Sequence, residues 1–154
     1  MKQISWGRVV LGGLLAGVVI NTFEFVLNFF VLKTVWIAAR ALKPDSQALM
    51  TGGEIAGSNL WGFLVGLLAL WLYASIRPRY GSGPRTGIYA GTAIWGLVSL
   101  LATLRPTVGA GLPATAVVTS VVVSFVAINL GTLLGTWQYR EPDHGATDAG
   151  PPVT

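Results

Sequence analysis

Long apolar runs separated by short polar joints set the pattern of this chain. The first run, residues 9–32, reads VVLGGLLAGVVINTFEFVLNFFVL. It exceeds the roughly 20 residues that a helix needs to cross a bilayer. Similar runs occupy residues 53–76, 86–104 and 113–139. The last contains VVTSVVVSFV, which would suit a strand in water. In lipid every backbone group must find its partner inside the segment, so its length and setting favour a helix. The pattern therefore predicts an all-α integral membrane four-helix bundle.

A second periodicity runs within the apolar one. Gly13, Gly17, Asn21, Glu24 and Asn28 share one face of the first helix, at steps of three and four. Asn59, Gly62, Gly66, Ala69 and Tyr73 do so on the second. The third carries Thr92, Gly96, Ser99 and Thr103, with Gly87 and Gly91 near its start. The fourth carries Ser120, Ser124, Ala127 and Gly131, while Asn129, Thr132 and Thr136 line a different face. Small residues let helix backbones approach in lipid, so Gly13, Gly17, Gly62, Gly66, Gly87, Gly91, Gly96 and Gly131 are expected packing positions. GLLAG at 13–17 and GIYAG at 87–91 form a faint internal echo, as two hairpins in parallel repeat would give.

The joints are short. Residues 33–50, KTVWIAARALKPDSQALM, put Leu32, Val35, Trp36, Ala39 and Leu42 on one helical face, with Lys33, Arg40 and Lys43 mostly opposite. This predicts a short interfacial helix after the first span, ended by Pro44. RPRYGSGPR at 77–85 reads as a tight basic turn, with Arg77, Arg79 and Arg85 as lipid-headgroup contacts. RPTVGAGL at 105–112 is a second turn, and Pro113 opens the last helix. The transmembrane domain thus spans residues 1–139, followed by a polar tail at 140–154 expected to be disordered. Lys2, Trp6 and Arg8 form an N-terminal collar. The first run is too long for a signal-peptide core and holds an acid, so it reads as a retained helix.

Composition strengthens this picture. Of 154 residues, 53% are hydrophobic and only 10% charged, against about 25% charged in soluble domains. The net charge of +4 arises from groups near the predicted membrane ends. It suits anionic headgroups, and no basic stripe or stacking module points to nucleic acid. The absence of cysteine excludes disulfides and thiol chemistry.

Glu24 is the main chemical candidate. A carboxylate inside an apolar span should face protein or water, because lipid solvates it poorly. Asn21 and Asn28 share its face, and Asn59 and Ser99 are expected at similar depth on other helices. The five residues form a candidate intramembrane polar site. It serves either as a clamp fixing helix register or in proton, cation or polar-ligand handling. The single histidine, His144, lies in the tail, and no metal-ligand pattern occurs within a span. No enzyme activity and no cofactor are expected.

VVLGGLLAGVVIN, the segment around VWIAARAL and the four short spans resemble small bacterial four-span inner-membrane proteins of uncharacterised function. The resemblance covers most of residues 8–139. It implies the fold and a bacterial inner-membrane location, and brings no catalytic residues. The arginine-rich middle joint further predicts both termini in the cytoplasm. The combined expectation is a structural or accessory membrane protein working through helix–helix assembly. Its partners would be membrane lipids and either further copies of itself or other integral membrane subunits. The alternative is a small oligomeric channel or transporter using Glu24.

Overall fold

The computed structural model describes residues 4–41, 51–103 and 112–139. Four of its helices are long and apolar enough to span a bilayer: α1 (Trp6–Val31), α3 (Gly52–Tyr80), α4 (Pro84–Thr103) and α5 (Ala114–Gln138). The short helix α2 (Lys33–Ala41) follows the first span directly. The Pro44 stop, most of the turn before Pro113 and the 140–154 tail fall outside the described residues.

The helices run up, down, up and down. α1 packs against α3 and α5, and α4 packs against the same two helices from the other side. α3 and α5 meet across the short diagonal, and α1 and α4 occupy the other diagonal without an extended contact. Small residues govern the closest approaches. A Cβ on Gly66 would lie 2.5 Å from the Gly13 carbonyl oxygen and 2.6 Å from the Gly17 nitrogen. Gly12 and Gly135 meet reciprocally: a Cβ on either would lie within 2.7 Å of the other's carbonyl oxygen. Only hydrogen fits such contacts, and each brings two helix backbones into direct van der Waals contact.

Three features of the helices differ from the sequence reading. First, α3 runs through Pro78 to Tyr80. Proline there forgoes the bond an N–H would make to the Ala74 carbonyl, and the helix continues two residues past it. Gly81, at φ 85°, then turns the chain, and its N–H donates to the Arg77 carbonyl at 2.9 Å. The basic turn accordingly shrinks to residues 81–83, placing Arg77 and Arg79 on α3 and Arg85 on α4. Thr86 is buried and donates to the Gly81 carbonyl at 2.8 Å, tying the turn down.

Second, α1 and α4 each widen into a π-turn, at Leu27–Val31 and Gly96–Leu100. In α1 the Asn28 side chain donates to the Glu24 carbonyl at 2.8 Å. A side-chain donor competing for that carbonyl loosens the α-helical ladder there. Third, Gly96 is not a packing glycine: a Cβ there would meet nothing within 4 Å. It opens the α4 π-turn instead.

The core is densest toward the end where α1 begins and α5 ends. Val9, Ala16, Leu70, Tyr73, Ala74, Ala90 and Tyr139 form one buried cluster there. Tyr73 and Tyr139 meet edge to face at 5.9 Å. A second cluster of Ile20, Val65, Ala69, Ile94 and Ile128 fills the middle. The third is smaller, with Leu27, Leu32 and Ala116 buried beside α2.

Candidate functional site

The polar positions of α1 follow the seam that holds it to α3. A Cβ on Gly13 or Gly17 would press on Leu67 or Phe63, and Gly62 lies against the Asn21 side chain. These pairings run antiparallel and in register. One turn further, Asn21 Nδ2 donates to the Asn59 carbonyl at 3.1 Å. Continued, the same register would set Ala56 opposite Glu24 and Gly52 opposite Asn28. The helices do not stay together that far. Every residue from Gly52 to Trp61 is exposed, so α3 parts from α1 beyond the Asn21–Asn59 bond.

Glu24 and Asn28, both half-buried, stand at the mouth of this gap. Asn28 Nδ2 donates to Glu24 Oε2 at 3.0 Å as well as to the Glu24 carbonyl. The Asn28 side-chain oxygen in turn accepts the Trp36 indole N–H at 2.8 Å. A chain of bonds therefore runs from Trp36 on α2 through Asn28 to Glu24, across the π-turn. It fixes the angle at which α2 leaves the span, because the indole reaches its acceptor only from one direction. Lys33 lies 5.2 Å from the Phe29 ring centre, a second tie at the same joint.

Two expected neighbours of Glu24 are placed elsewhere. The Asn59 side chain donates to its own helix, at the Ile55 carbonyl, 2.8 Å away, and only its backbone meets α1. Ser99 makes no hydrogen bond to Glu24, Asn21 or Asn28, since α4 lies diagonally across the bundle from α1. Asn21, Glu24 and Asn28 come together along one helix, joined by the Asn59 backbone and by Trp36. The part played by Trp36 was not anticipated from the sequence. The signal was an indole on the apolar side of an amphipathic helix, a group that needs an acceptor when it leaves water.

A separate polar pair holds the other hairpin. Thr92 Oγ1 donates to Asn129 Oδ1 at 3.2 Å, beside Gly91, where a Cβ would lie 2.8 Å from that oxygen. Trp95 Nε1 donates to the Val121 carbonyl at 3.1 Å and its ring meets Phe125 edge to face. Gly87 and Gly131 likewise face α5 and α1, at Leu133 and Ala16.

Charge is divided along the bundle. Arg8, Arg77, Arg79 and Arg85 gather at the end formed by the start of α1, the α3–α4 turn and the finish of α5. Among the described residues, the carboxylates are Glu24 and Glu54, both toward the other end. Glu54 caps α3: it accepts the Thr51 N–H at 2.7 Å while Thr51 Oγ1 accepts the Glu54 N–H at 3.3 Å. Among the described residues, the gap between α1 and α3 thus holds one carboxylate, Glu24, with one side-chain donor, Asn28, an arrangement suited to holding helices in place.

Comparison with known proteins finds no family model that matches the chain, no curated protein and no solved structure. The fold itself defines the class: an all-α, multi-span membrane protein with four apolar spans and a short helix after the first.

Proposed function

We propose that the protein is a structural or accessory membrane subunit that works by assembling with further transmembrane helices, a second copy of itself first among them. The observation that carries this reading is the bare first half of α3. Ten consecutive residues, Gly52 to Trp61, are exposed, although the second half of the same helix is sealed into the bundle. Gly53 and Gly57 lie one turn apart on that bare half, and a Cβ on either would meet nothing within 4 Å. Ile55, Leu60 and Trp61 surround them with exposed apolar area. Ser58 and Asn59 add polar groups that lipid solvates poorly and that a neighbouring helix can bond.

Glu24 fits this reading as part of a clamp. Its hydrogen bond to Asn28 and the Asn28–Trp36 bond hold the α1–α2 joint, and the Asn21–Asn59 bond sets where α3 departs. The protein belongs in this reading to a bacterial inner membrane, with the arginine-rich end and both termini on the cytoplasmic side. Extraction in a mild detergent followed by native mass measurement tests the assembly. More than one copy, or a fixed second membrane subunit, is expected. A lone protomer from the membrane, at every detergent concentration that keeps it folded, would overturn the proposal.

A further inference from the structure

Two polar groups inside the spans have hydrogen-bonding capacity left over. Glu24 Oε2 accepts the Asn28 amide at 3.0 Å, while Oε1 accepts nothing among the described residues. The Trp61 indole N–H meets no acceptor among the described residues either. Trp61 is exposed and closes the bare half of α3. It lies ten residues from Trp71 along α3, about 15 Å by helical rise, half the depth of a hydrocarbon core. Trp6 and Trp71 sit toward the arginine end, at headgroup level, where water and headgroups supply acceptors. Trp95, packed against the middle core cluster, donates instead to the Val121 carbonyl of the neighbouring helix at 3.1 Å. Trp61 calls for a neighbour of the same kind.

Depth brings this donor and the Glu24 acceptor together. The register that pairs Gly17 with Phe63, and Asn21 with the Asn59 backbone, sets Trp61 level with Val19. That is five residues from Glu24, about 7 Å along the axis. Helical side chains lean toward their own N-terminus. Because α1 and α3 run in opposite directions, Glu24 and Trp61 lean toward one level. Within a protomer they are kept apart around α3. At about 100° per residue, Trp61 stands about 160° from Asn59, which meets α1. Trp61 therefore shares the outer face with Gly57, where a Cβ would meet nothing within 4 Å.

We infer that, when two copies assemble, the Trp61 indole of each enters the gap between α1 and α3 of the other and donates to its Glu24 carboxylate. Two copies in one membrane share an orientation, so the depths match across the pair as they do within a protomer. A two-fold axis along the membrane normal makes the bond twice, once in each direction. The contact is complementary in charge: a polarised N–H meets a carboxylate, a pairing that strengthens where water is excluded. Gly53 and Gly57 let the two α3 helices cross closely, and beyond Leu64 the crossing angle carries them apart. The departure of α3 from α1 leaves room for the indole beside Glu24. The pairing of copies rests on the proposed function; the bond between them is additional to it.

Pairing would be followed by Förster transfer between full-length copies labelled at their N-termini, in liposomes of rising lipid-to-protein ratio. Trp61→Phe keeps the ring and loses the N–H, and should weaken pairing at least about threefold. Trp71→Phe, on the same helix toward the arginine end, should leave pairing unchanged. Glu24→Leu should weaken it as Trp61→Phe does, and the double variant should be no weaker than either single one, because the two groups make one bond. Glu24→Gln keeps an acceptor and should fall between wild type and Glu24→Leu. Glu24→Leu also takes away the partner of Asn28, so its thermal midpoint in mild detergent is compared. Where that midpoint falls, the double-variant test uses Glu24→Gln instead. Wild-type pairing that Trp61→Phe does not weaken, or losses that multiply in the double variant, would overturn the contact and leave assembly standing. Wild-type protein that assembles only with a different subunit would do the same. Wild-type copies that assemble with nothing would overturn both the contact and the proposed function.

Discussion

The two ends of the bundle use the same four helices to opposite effect. At the arginine end, glycines at Gly12, Gly13, Gly66 and Gly135 let backbones touch, and the tyrosine pair closes the interior. At the other end both π-turns occur, α3 stands clear of α1, and hydrogen bonds from Asn21, Asn28 and Trp36 take over from packing. Van der Waals contact between close backbones holds the first end. That term carries a larger share of the association in lipid, where the solvent supplies no hydrophobic drive between helices. The second end rests on a few polar bonds, each worth well under the sum of such a seam. One end is therefore built to be rigid, and the other keeps a helix surface available.

The sharpest way to break this contrast is to add the same bulk to a glycine of each kind on α3. Gly66→Leu drives a side chain into the α1 backbone, where the nearest atoms, the Gly13 oxygen and Gly17 nitrogen, cannot rotate away. The expected cost is about 3 kcal/mol or more, at the upper end of overpacking effects. Gly57→Leu adds the same atoms where nothing lies within 4 Å. Its effect on the folded protomer should stay within about 0.5 kcal/mol, as for other open surface positions. Thermal unfolding in mild detergent reads both. Similar losses in the two variants would mean that α3 is sealed along its whole length.

A smaller effect is expected at the α1–α2 joint. Asn28→Ala removes the acceptor of the Trp36 indole and the side-chain donor to Glu24. Membrane hydrogen bonds of this kind contribute about 0.6 kcal/mol each, so the global midpoint should move by about 1 kcal/mol at most. The local effect should be clearer: amides of α2, Lys33–Ala41, should exchange faster with deuterium, while those of the arginine end do not change. Trp36→Phe should reproduce the α2 effect. Unchanged exchange in both variants would show that α2 is held by other contacts.

Much of the closed end was legible in the sequence. Glycines at steps of three and four mark where helices touch, because that spacing lines up one face and no other residue fits there. Seven of the eight glycines singled out have a close neighbour across a helix boundary, and Gly96 does not. The spans were legible for the same reason, since length and apolarity are local properties. The open end was less so. The seam from Gly66 through Gly62 to Asn59 keeps its α1 partner only that far, and α3 stands free of α1 beyond it. That divergence depends on how two distant helices cross, which no single stretch encodes. Ser99 shares the depth and spacing of the polar site, yet its helix lies on the far diagonal. The π-turns and Trp36's bond to Asn28 arise from competition for particular carbonyls, a three-dimensional matter. The sequence reading ended the second span at Ile76 and put Pro78 in the basic turn, whereas the helix continues through it to Tyr80.

The most direct measurement is a disulfide scan along α3 in reconstituted liposomes, made practical by the absence of native cysteine. Single variants Gly53→Cys and Gly57→Cys probe the bare half, and Leu64→Cys and Leu68→Cys probe exposed positions on the half sealed to α1. Assembly through the bare half predicts rapid cross-linking between copies at 53 and 57 and little at 64 and 68. Cross-linking at none of the four, or equal cross-linking at all of them as random collision gives, would contradict it.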